Sequence, residues 1–250
     1  MTKTGKARLD RVLVARGLAP TRQQAQALIL KGAVQVDGQR RDKAGTLVAA
    51  EATVTLTEAP PPYVGRGGVK LAGALDRFGL DPAGTVALDV GASTGGFTDC
   101  LLQRGATRVY AVDVGYGQID WRLRCDPRVV VIERTNIRHM DPARIPEPID
   151  LAVIDVSFIA LEKVLPAVRP LLRPGGCIVA LVKPQFEVGR RHVGRGGIVR
   201  DPALHQAAVD AVRAAAAAIG LRCDGSAASP LPGQKGNLEF FIHLVNATTV

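Results

Sequence analysis

The sequence predicts an α/β fold: a doubly wound, mostly parallel sheet preceded by a small basic α+β module. Three observations carry this. Beyond residue 66, short aliphatic runs recur with helix-like segments between most of them, the pattern of strands buried on both faces. The first of those runs ends in a glycine-rich turn that opens a helix, as ligand-binding sheets do. Residues 1–66 hold 11 Lys and Arg against 5 Asp and Glu, a net +6 of the chain's +9. About two-thirds of the excess charge thus sits in about a quarter of the chain, an electrostatic footprint for phosphate backbones.

In the basic module, Leu9, Val12, Leu13 and Ala15 recur at helical spacing until Gly17 stops the helix. Thr21 is a predicted N-cap for a second helix over 22–31, ended by Gly32. Val34 and Val36 alternate as in a strand. A turn at Asp37-Gly38 follows, then a second strand over 53–56. Ala59-Pro60-Pro61-Pro62 predicts a stiff, extended spacer, and Gly65-Arg66-Gly67-Gly68 a flexible hinge. The aliphatic runs predict strands at 86–90, 108–113, 129–132, 151–155 and 178–182. An alanine-rich helix over 202–219 and two more strands, 221–226 and 238–244, close the chain and bring the sheet to seven.

Composition excludes several classes. No apolar run approaches the ~20 residues that span a bilayer, and no apolar stretch follows the charged N-terminus, so a soluble cytoplasmic protein without a signal peptide is expected. Cys100, Cys125, Cys177 and Cys223 lack CxxC spacing, which argues against a structural zinc site or a disulfide framework.

The glycine turn reads Leu88-Asp89-Val90-Gly91-Ala92-Ser93-Thr94-Gly95-Gly96-Phe97-Thr98. Glycines let a ligand approach the backbone, and helix N-terminal N–H groups point at an anionic group. A phosphate loop would end in Gly-Lys-Ser/Thr, and this one does not; Ala92 and Ser93 break the dinucleotide GxGxxG spacing. Asp89 at the strand end suits a cationic ligand, such as the methionine part of S-adenosylmethionine (SAM). Asp113, ending Tyr110-Ala111-Val112-Asp113, lies where ribose hydroxyls sit in nucleotide-binding sheets. Together these residues predict a SAM site.

A second group of polar residues falls on the same predicted edge. Asp155 ends the fourth strand in Asp155-Val156-Ser157-Phe158, and Lys183 ends the fifth. Glu239 is embedded in Asn237-Leu238-Glu239-Phe240-Phe241, read as a strand in which a charge is out of place. Lys70 follows the glycine hinge. Two lysines and two acids on one rim describe a proton-transfer site.

On these residues the chain resembles, over nearly its full length, the TlyA family of ribosomal-RNA 2′-O-ribose methyltransferases, also called hemolysin A. Residues 7–58 are similar to an S4-like RNA-binding module, through Arg8-Leu9-Asp10, Thr21-Arg22-Gln23-Gln24-Ala25 and Lys31-Gly32-Ala33-Val34-Gln35-Val36-Asp37-Gly38. Residues 59–66 would be the linker, and 67–247 resemble an FtsJ-like, Rossmann-like SAM-dependent methyltransferase domain with a seven-stranded, mostly parallel sheet. The linker departs from the family pattern, with prolines and Tyr63 where members often have Arg and Trp.

The resemblance implies SAM as cofactor, no metal, and ribosomal RNA or ribosomal subunits as partner. Its target would be a cytidine ribose in small-subunit or large-subunit RNA, or both. It assigns catalysis to Lys70, Asp155, Lys183 and Glu239. It assigns the cofactor to Asp89, Gly91, Ala92, Ser93, Thr94, Gly95, Gly96, Phe97, Asp113, Asn136 and Asp155. Arg8, Arg11, Arg16, Arg22, Gln23 and Lys31 are the expected RNA contacts.

A ribose hydroxyl is a poor nucleophile at neutral pH and needs a base or a cation for its developing charge. Lys183, with its proton affinity lowered by Lys70 or by burial, is the expected base, and Asp155 and Glu239 would orient the lysines. Other functions fit less well. Methylation of an exocyclic amine typically uses Asn/Asp-Pro-Pro-aromatic where this chain has Asp155-Val156-Ser157-Phe158. Cytosine-carbon methylation needs a cysteine nucleophile, and Cys177 precedes its predicted strand. A pseudouridine synthase would share the basic module but not the SAM loop. A membrane-lytic hemolysin would need a spanning or amphipathic segment. A catalytically inactive RNA-binding protein would be expected to lack one of the four catalytic residues, and all four are present.

Overall fold

Alternation of apolar residues along the central strands decides how the larger part of the chain is layered. Leu88, Val90, Tyr110, Val112, Ala152, Ile154, Ile178 and Ala180 lie in one buried cluster, and their neighbours Ala87, Val109, Leu151, Val153 and Val179 lie in another. With both faces apolar, the sheet must be covered on both sides. The structure is a computed structural model describing residues 5–57, 61–233 and 235–247, apart from the Arg190 side chain. It divides into two units, Met1–Pro61 and Pro62–Val250. Part of the predicted stiff spacer, Ala59-Pro60, lies outside the described residues.

In the first unit, β1 (Ala7–Arg8) leads into α1 (Leu9–Ala15), and α2 spans Arg22–Lys31. The Thr21 hydroxyl caps α2 by accepting from the Gln24 amide at 3.2 Å, and Gly32 ends it in the left-handed region at φ 75°. Then come β2 (Val34–Val36), β3 (Gln39–Arg40), β4 (Leu47–Val48) and β5 (Val54–Leu56). Asp37 and Gly38 both have positive φ, which makes the β2–β3 turn tight. β2 pairs antiparallel with β3 and β5, while β1 pairs with β4. Leu9, Leu13, Ile29 and Val34 are fully buried in a core belonging to this unit.

The second unit begins with α3 (Arg66–Phe78), followed by β6 (Val86–Val90), α4 (Gly96–Gln103), β7 (Arg108–Val112), α5 (Trp121–Arg124), β8 (Val129–Ile132) and β9 (Ile149–Ile154). After these come α6 (Leu165–Val168), β10 (Leu172–Val182), α7 (Pro184–Glu187), α8 (Pro202–Ala218), β11 (Leu221–Ala228) and β12 (Phe240–Asn246). The seven strands lie in the order β11-β12-β10-β9-β6-β7-β8, with β12 antiparallel to both its neighbours. α3 and α4 cover one face, and α6 and α8 the other. The seven-stranded, mostly parallel sheet is as the sequence predicts.

Three local expectations are corrected. Gly65-Arg66-Gly67-Gly68 is not a flexible hinge: residues 66–68 form the first turn of α3. These glycines serve close packing instead. A Cβ on Gly68 would lie 2.3 Å from the Tyr63 ring, and one on Gly96 would lie 3.0 Å from the Gly68 amide nitrogen. Cys177 does not precede its strand, because β10 starts at Leu172 and reaches β9 through a register shift between Leu172 and Cys177. Glu239 lies one residue before β12 rather than inside it.

Candidate active site

Strand ends build this site. β6, β9 and β10 run parallel and finish on one edge, and their last residues hand over to Gly91, Asp155 and Lys183. Glu239 reaches the same edge because β12 is antiparallel. Phe240, its first residue, pairs with Val182, the last of β10. Lys70, in the second turn of α3, completes the group.

Here two ion pairs form. Lys70 Nζ donates to Glu239 Oε2 at 2.6 Å, with both residues buried. Lys183 Nζ lies 2.6 Å from Asp155 Oδ1 and donates to Ser157 Oγ at 3.0 Å. The four residues predicted for catalysis are thus brought together as two lysine–carboxylate pairs. Buried lysines need such partners.

The pairs border two adjoining cavities. A smaller one, about 250 Å³, is lined by Arg66, Gly67, Lys70, Gly91, Ala92, Ser93, Thr94, Gly96, Phe97 and Asp155. A larger one, about 450 Å³, is lined by Lys70, Asp155, Lys183 and Glu239 together with Ser157, Phe158, Gln185, Phe186 and Lys235, among others. Lys70, Gly91, Ser93 and Asp155 belong to both walls. Gly91 permits that junction. Its φ is +86°, and a Cβ there would stand 2.4 Å from the Asp155 carbonyl oxygen.

Of the residues predicted for the cofactor, Gly91, Ala92, Ser93, Thr94, Gly96, Phe97 and Asp155 line the smaller cavity, and the others do not. Gly95 turns the chain at φ +92°. Asp89 is fully buried, and its carboxylate accepts from the Thr98 hydroxyl at 2.7 Å. Burial pushes Asp89 up to about 7, against the Thr98 hydrogen bond and with the Asp155 charge adding to the rise. Asp113 accepts from the Ser93 amide at 2.8 Å and the Gly115 amide at 2.6 Å, so it shapes the loop. Asn136 caps a single helical turn through the Arg138 amide.

Sequence reasoning missed the loop after Asp155. Phe158 has φ +66°, is 91% exposed, and stands 5.2 Å from the Phe186 ring. Glu187 fastens the same loop by accepting from the Leu161 amide at 3.0 Å, and burial raises its carboxyl to about 7. The available signal was the polar-aromatic pair Ser157-Phe158 directly beyond an acidic strand end.

In the first unit, buried Asp10 accepts from Arg8, Arg22, Gln26 and the Arg11 amide. Arg16 donates to the Ala50 and Ala52 carbonyls at 2.7 Å. Three of the predicted RNA contacts therefore also hold this unit together, while Arg11, Gln23 and Lys31 lie exposed.

Residues 63–246 match the FtsJ-like methyltransferase family, and residues 7–54 match the S4 domain. The 16S/23S rRNA (cytidine-2′-O)-methyltransferase TlyA of Mycobacterium tuberculosis is 50% identical over 97% of this chain and 91% of its own length. The chain belongs to the TlyA family of FtsJ-like methyltransferases. A solved structure from Streptococcus thermophilus, described as a hemolysin, matches this TlyA-family protein with a TM-score of 0.75 at 42% identity, covering 98% of this chain and 90% of that one. Magnesium protoporphyrin IX methyltransferase from Synechocystis, solved with SAM bound, shares the fold alone, at 11% identity and a TM-score of 0.51 over 73% of this chain and 79% of that one. The TlyA-family protein is a SAM-dependent methyltransferase by family. Its smaller cavity suits that cofactor: glycine backbone at Gly91 and Gly96 admits close approach, and the Asp155 carboxylate offers negative charge to a sulfonium. Among the described residues, no helix is long and apolar enough to cross a membrane.

Proposed function

We propose that this protein methylates the 2′-hydroxyl of a cytidine ribose in ribosomal RNA, on one or both subunits, in the cytoplasm where ribosomes work. The observation that carries this reading is the junction of the two cavities, where Asp155 and Lys70 belong to both walls and the pairs Lys70–Glu239 and Lys183–Asp155 face the larger one. The name of the Mycobacterium tuberculosis relative supports the cytidine ribose as acceptor.

SAM supplies an activated methyl group whose departure needs no metal. Lys183, positioned by Asp155 and Ser157, is the base: its ammonium gives up a proton to solvent before the reaction, and the neutral amine then takes the hydroxyl proton. Lys70, fixed by Glu239, puts a positive charge beside the developing alkoxide. Asp155 ties the lysine to the wall shared with the donor cavity, so much of the catalysis is alignment. The exposed face of Phe158 gives an unstacked base something to rest on. Residues 7–58 form the RNA-binding domain, 59–66 the linker and 67–247 the catalytic domain in this reading. Arg11, Gln23 and Lys31 are exposed to RNA, with Arg8, Arg16 and Arg22 contributing charge from their structural positions.

The test is direct. The purified protein is incubated with methyl-labelled SAM and ribosomal subunits from cells lacking the enzyme, and the RNA is digested to nucleosides. Label in 2′-O-methylcytidine is the expected result. Label in a base-methylated nucleoside, or none, would overturn the reading.

A further inference from the structure

Two lips of the larger cavity carry positive charge that the lysine–carboxylate pairs leave unused. One lip is the strap 188–200, Val-Gly-Arg-Arg-His-Val-Gly-Arg-Gly-Gly-Ile-Val-Arg, with four arginines and no acid. Its Val193 and Gly197 line the cavity. The other is the stretch 230–238, which contains Lys235 and no acid. Gly233, Lys235 and Asn237 line the cavity from that side.

These lips are built, not loose. Asn237, 3% exposed, accepts from the Val199 amide at 3.0 Å and donates to the Gly197 carbonyl at 2.8 Å, tying one lip to the other. His205 holds the Val199 carbonyl at 2.9 Å. Arg66 donates to the Pro232 carbonyl at 3.0 Å, which secures the second lip to the start of α3. The backbone that carries the cations is thus held on both lips.

Of the three lysines on the cavity wall, Lys70 and Lys183 are each paired with a carboxylate, Glu239 and Asp155. Lys235 has no carboxylate partner among the described residues, and neither does Arg195, exposed on the strap between Val193 and Gly197. A ribose within a chain carries a phosphate on each side, so an RNA strand that places one hydroxyl at Lys183 must bring anions to the cavity's lips. Lysine meets a phosphate as a point charge, and arginine does so through its planar fork.

We infer that Lys235 and Arg195 grip the phosphodiesters flanking the target ribose, one from each lip. This rests on the proposed function and adds a backbone-binding site to it.

The experiment measures methylation of ribosomal subunits from cells lacking the enzyme, across a salt series, for the wild type, Lys235→Ala, Arg195→Ala, the double variant and Lys235→Arg. Filter binding of the same RNA is read in parallel. Each alanine variant should lower kcat/KM several-fold and make the slope of its logarithm against log salt shallower by about one. Lys235→Arg should stay near the wild type. SAM affinity and melting temperature should not move, which separates RNA grip from folding. Three results would each overturn the inference. One is an unchanged rate and slope in the double variant. Another is a rate loss with an unchanged slope, which would point to a base contact or to packing. The last is a loss in Lys235→Arg as large as in Lys235→Ala. An inactive wild type would instead sink the proposed function, and the salt slopes of filter binding would still decide on the grip.

Discussion

Lys70 and Glu239 are 169 positions apart in the chain, yet they share a buried hydrogen bond of 2.6 Å. The pair joins α3 to the residue that leads into β12, the antiparallel strand of the seven-stranded sheet, and both members line the larger cavity. Glu239→Ala would leave the Lys70 ammonium buried without its carboxylate. The expected cost is about 3 kcal/mol in unfolding free energy, together with a large loss of methylation. Lys70→Ala and Glu239→Ala should not be additive. A double-mutant cycle by thermal unfolding that gave strict additivity would mean the pair is not coupled.

Gly91 brings the donor loop against the end of β9. In Gly91→Ala, the new methyl group would meet the Asp155 carbonyl at 2.4 Å, in a backbone region that also disfavours alanine. The loop must move, and SAM affinity should fall by at least an order of magnitude. Calorimetric titration of a folded Gly91→Ala protein with unchanged affinity would separate this loop from the cofactor.

Asp89 gives a pH signature. Its folded pKa is raised to about 7, from an unfolded value near 3.9. A raised acid favours folding in its protonated form, so its contribution is full below about pH 4 and is lost as pH climbs through 7. Glu187, also raised to about 7, acts in the same direction. Wild-type stability should therefore decline between about pH 4 and pH 7, and Asp89→Asn should flatten part of that decline. The difference should reach roughly 1–4 kcal/mol at pH 8 and shrink toward pH 5, read from denaturant midpoints. Parallel profiles for the two proteins would contradict it.

The smaller unit depends on Asp10. Its Arg8 and Arg22 partners hold this carboxyl well below the usual range, and the residue is fully buried. A depressed acid stabilises above its unfolded pKa and loses that contribution as pH falls. Asp10→Ala should destabilise the unit by about 1–3 kcal/mol, visible as faster proteolysis within residues 5–57. Methylation of ribosomal subunits should fall more than SAM binding does.

Much of this was readable from residue order. Strands β6 to β9 announce themselves because both faces are aliphatic, and Thr21, Gly32 and Asp37-Gly38 mark their caps and turn by local chemistry. The early start of β10 was hidden, since Arg173-Pro174-Gly175-Gly176 reads as a turn and joins the strand through an irregular register. The placement of Asp89 was legible in principle. It shares the parity of Ala87, which packs against α3 and α4, so its side chain enters the buried layer on that face. The contact of Glu239 with Lys70 was not legible, because it depends on β12 running against its neighbours, a long-range fact. The glycines at 65–68 misled because packing and flexibility both call for a missing side chain.

The proposed reaction turns on Lys183. The decisive measurement maps 2′-O-methyl groups on ribosomal RNA from cells lacking the gene, complemented with the wild type, Lys183→Ala or Lys183→Arg, each checked for expression and SAM binding. The wild type should restore a methylated cytidine ribose. Both variants should bind SAM normally and leave that site unmethylated, because alanine has no base and guanidinium keeps its proton. The corresponding loss of rate in purified protein should be roughly 10²–10⁴-fold. Full methylation by Lys183→Arg would reduce Lys183 to a fixed positive charge, and an identical map with and without the protein would contradict ribose methylation of ribosomal RNA altogether.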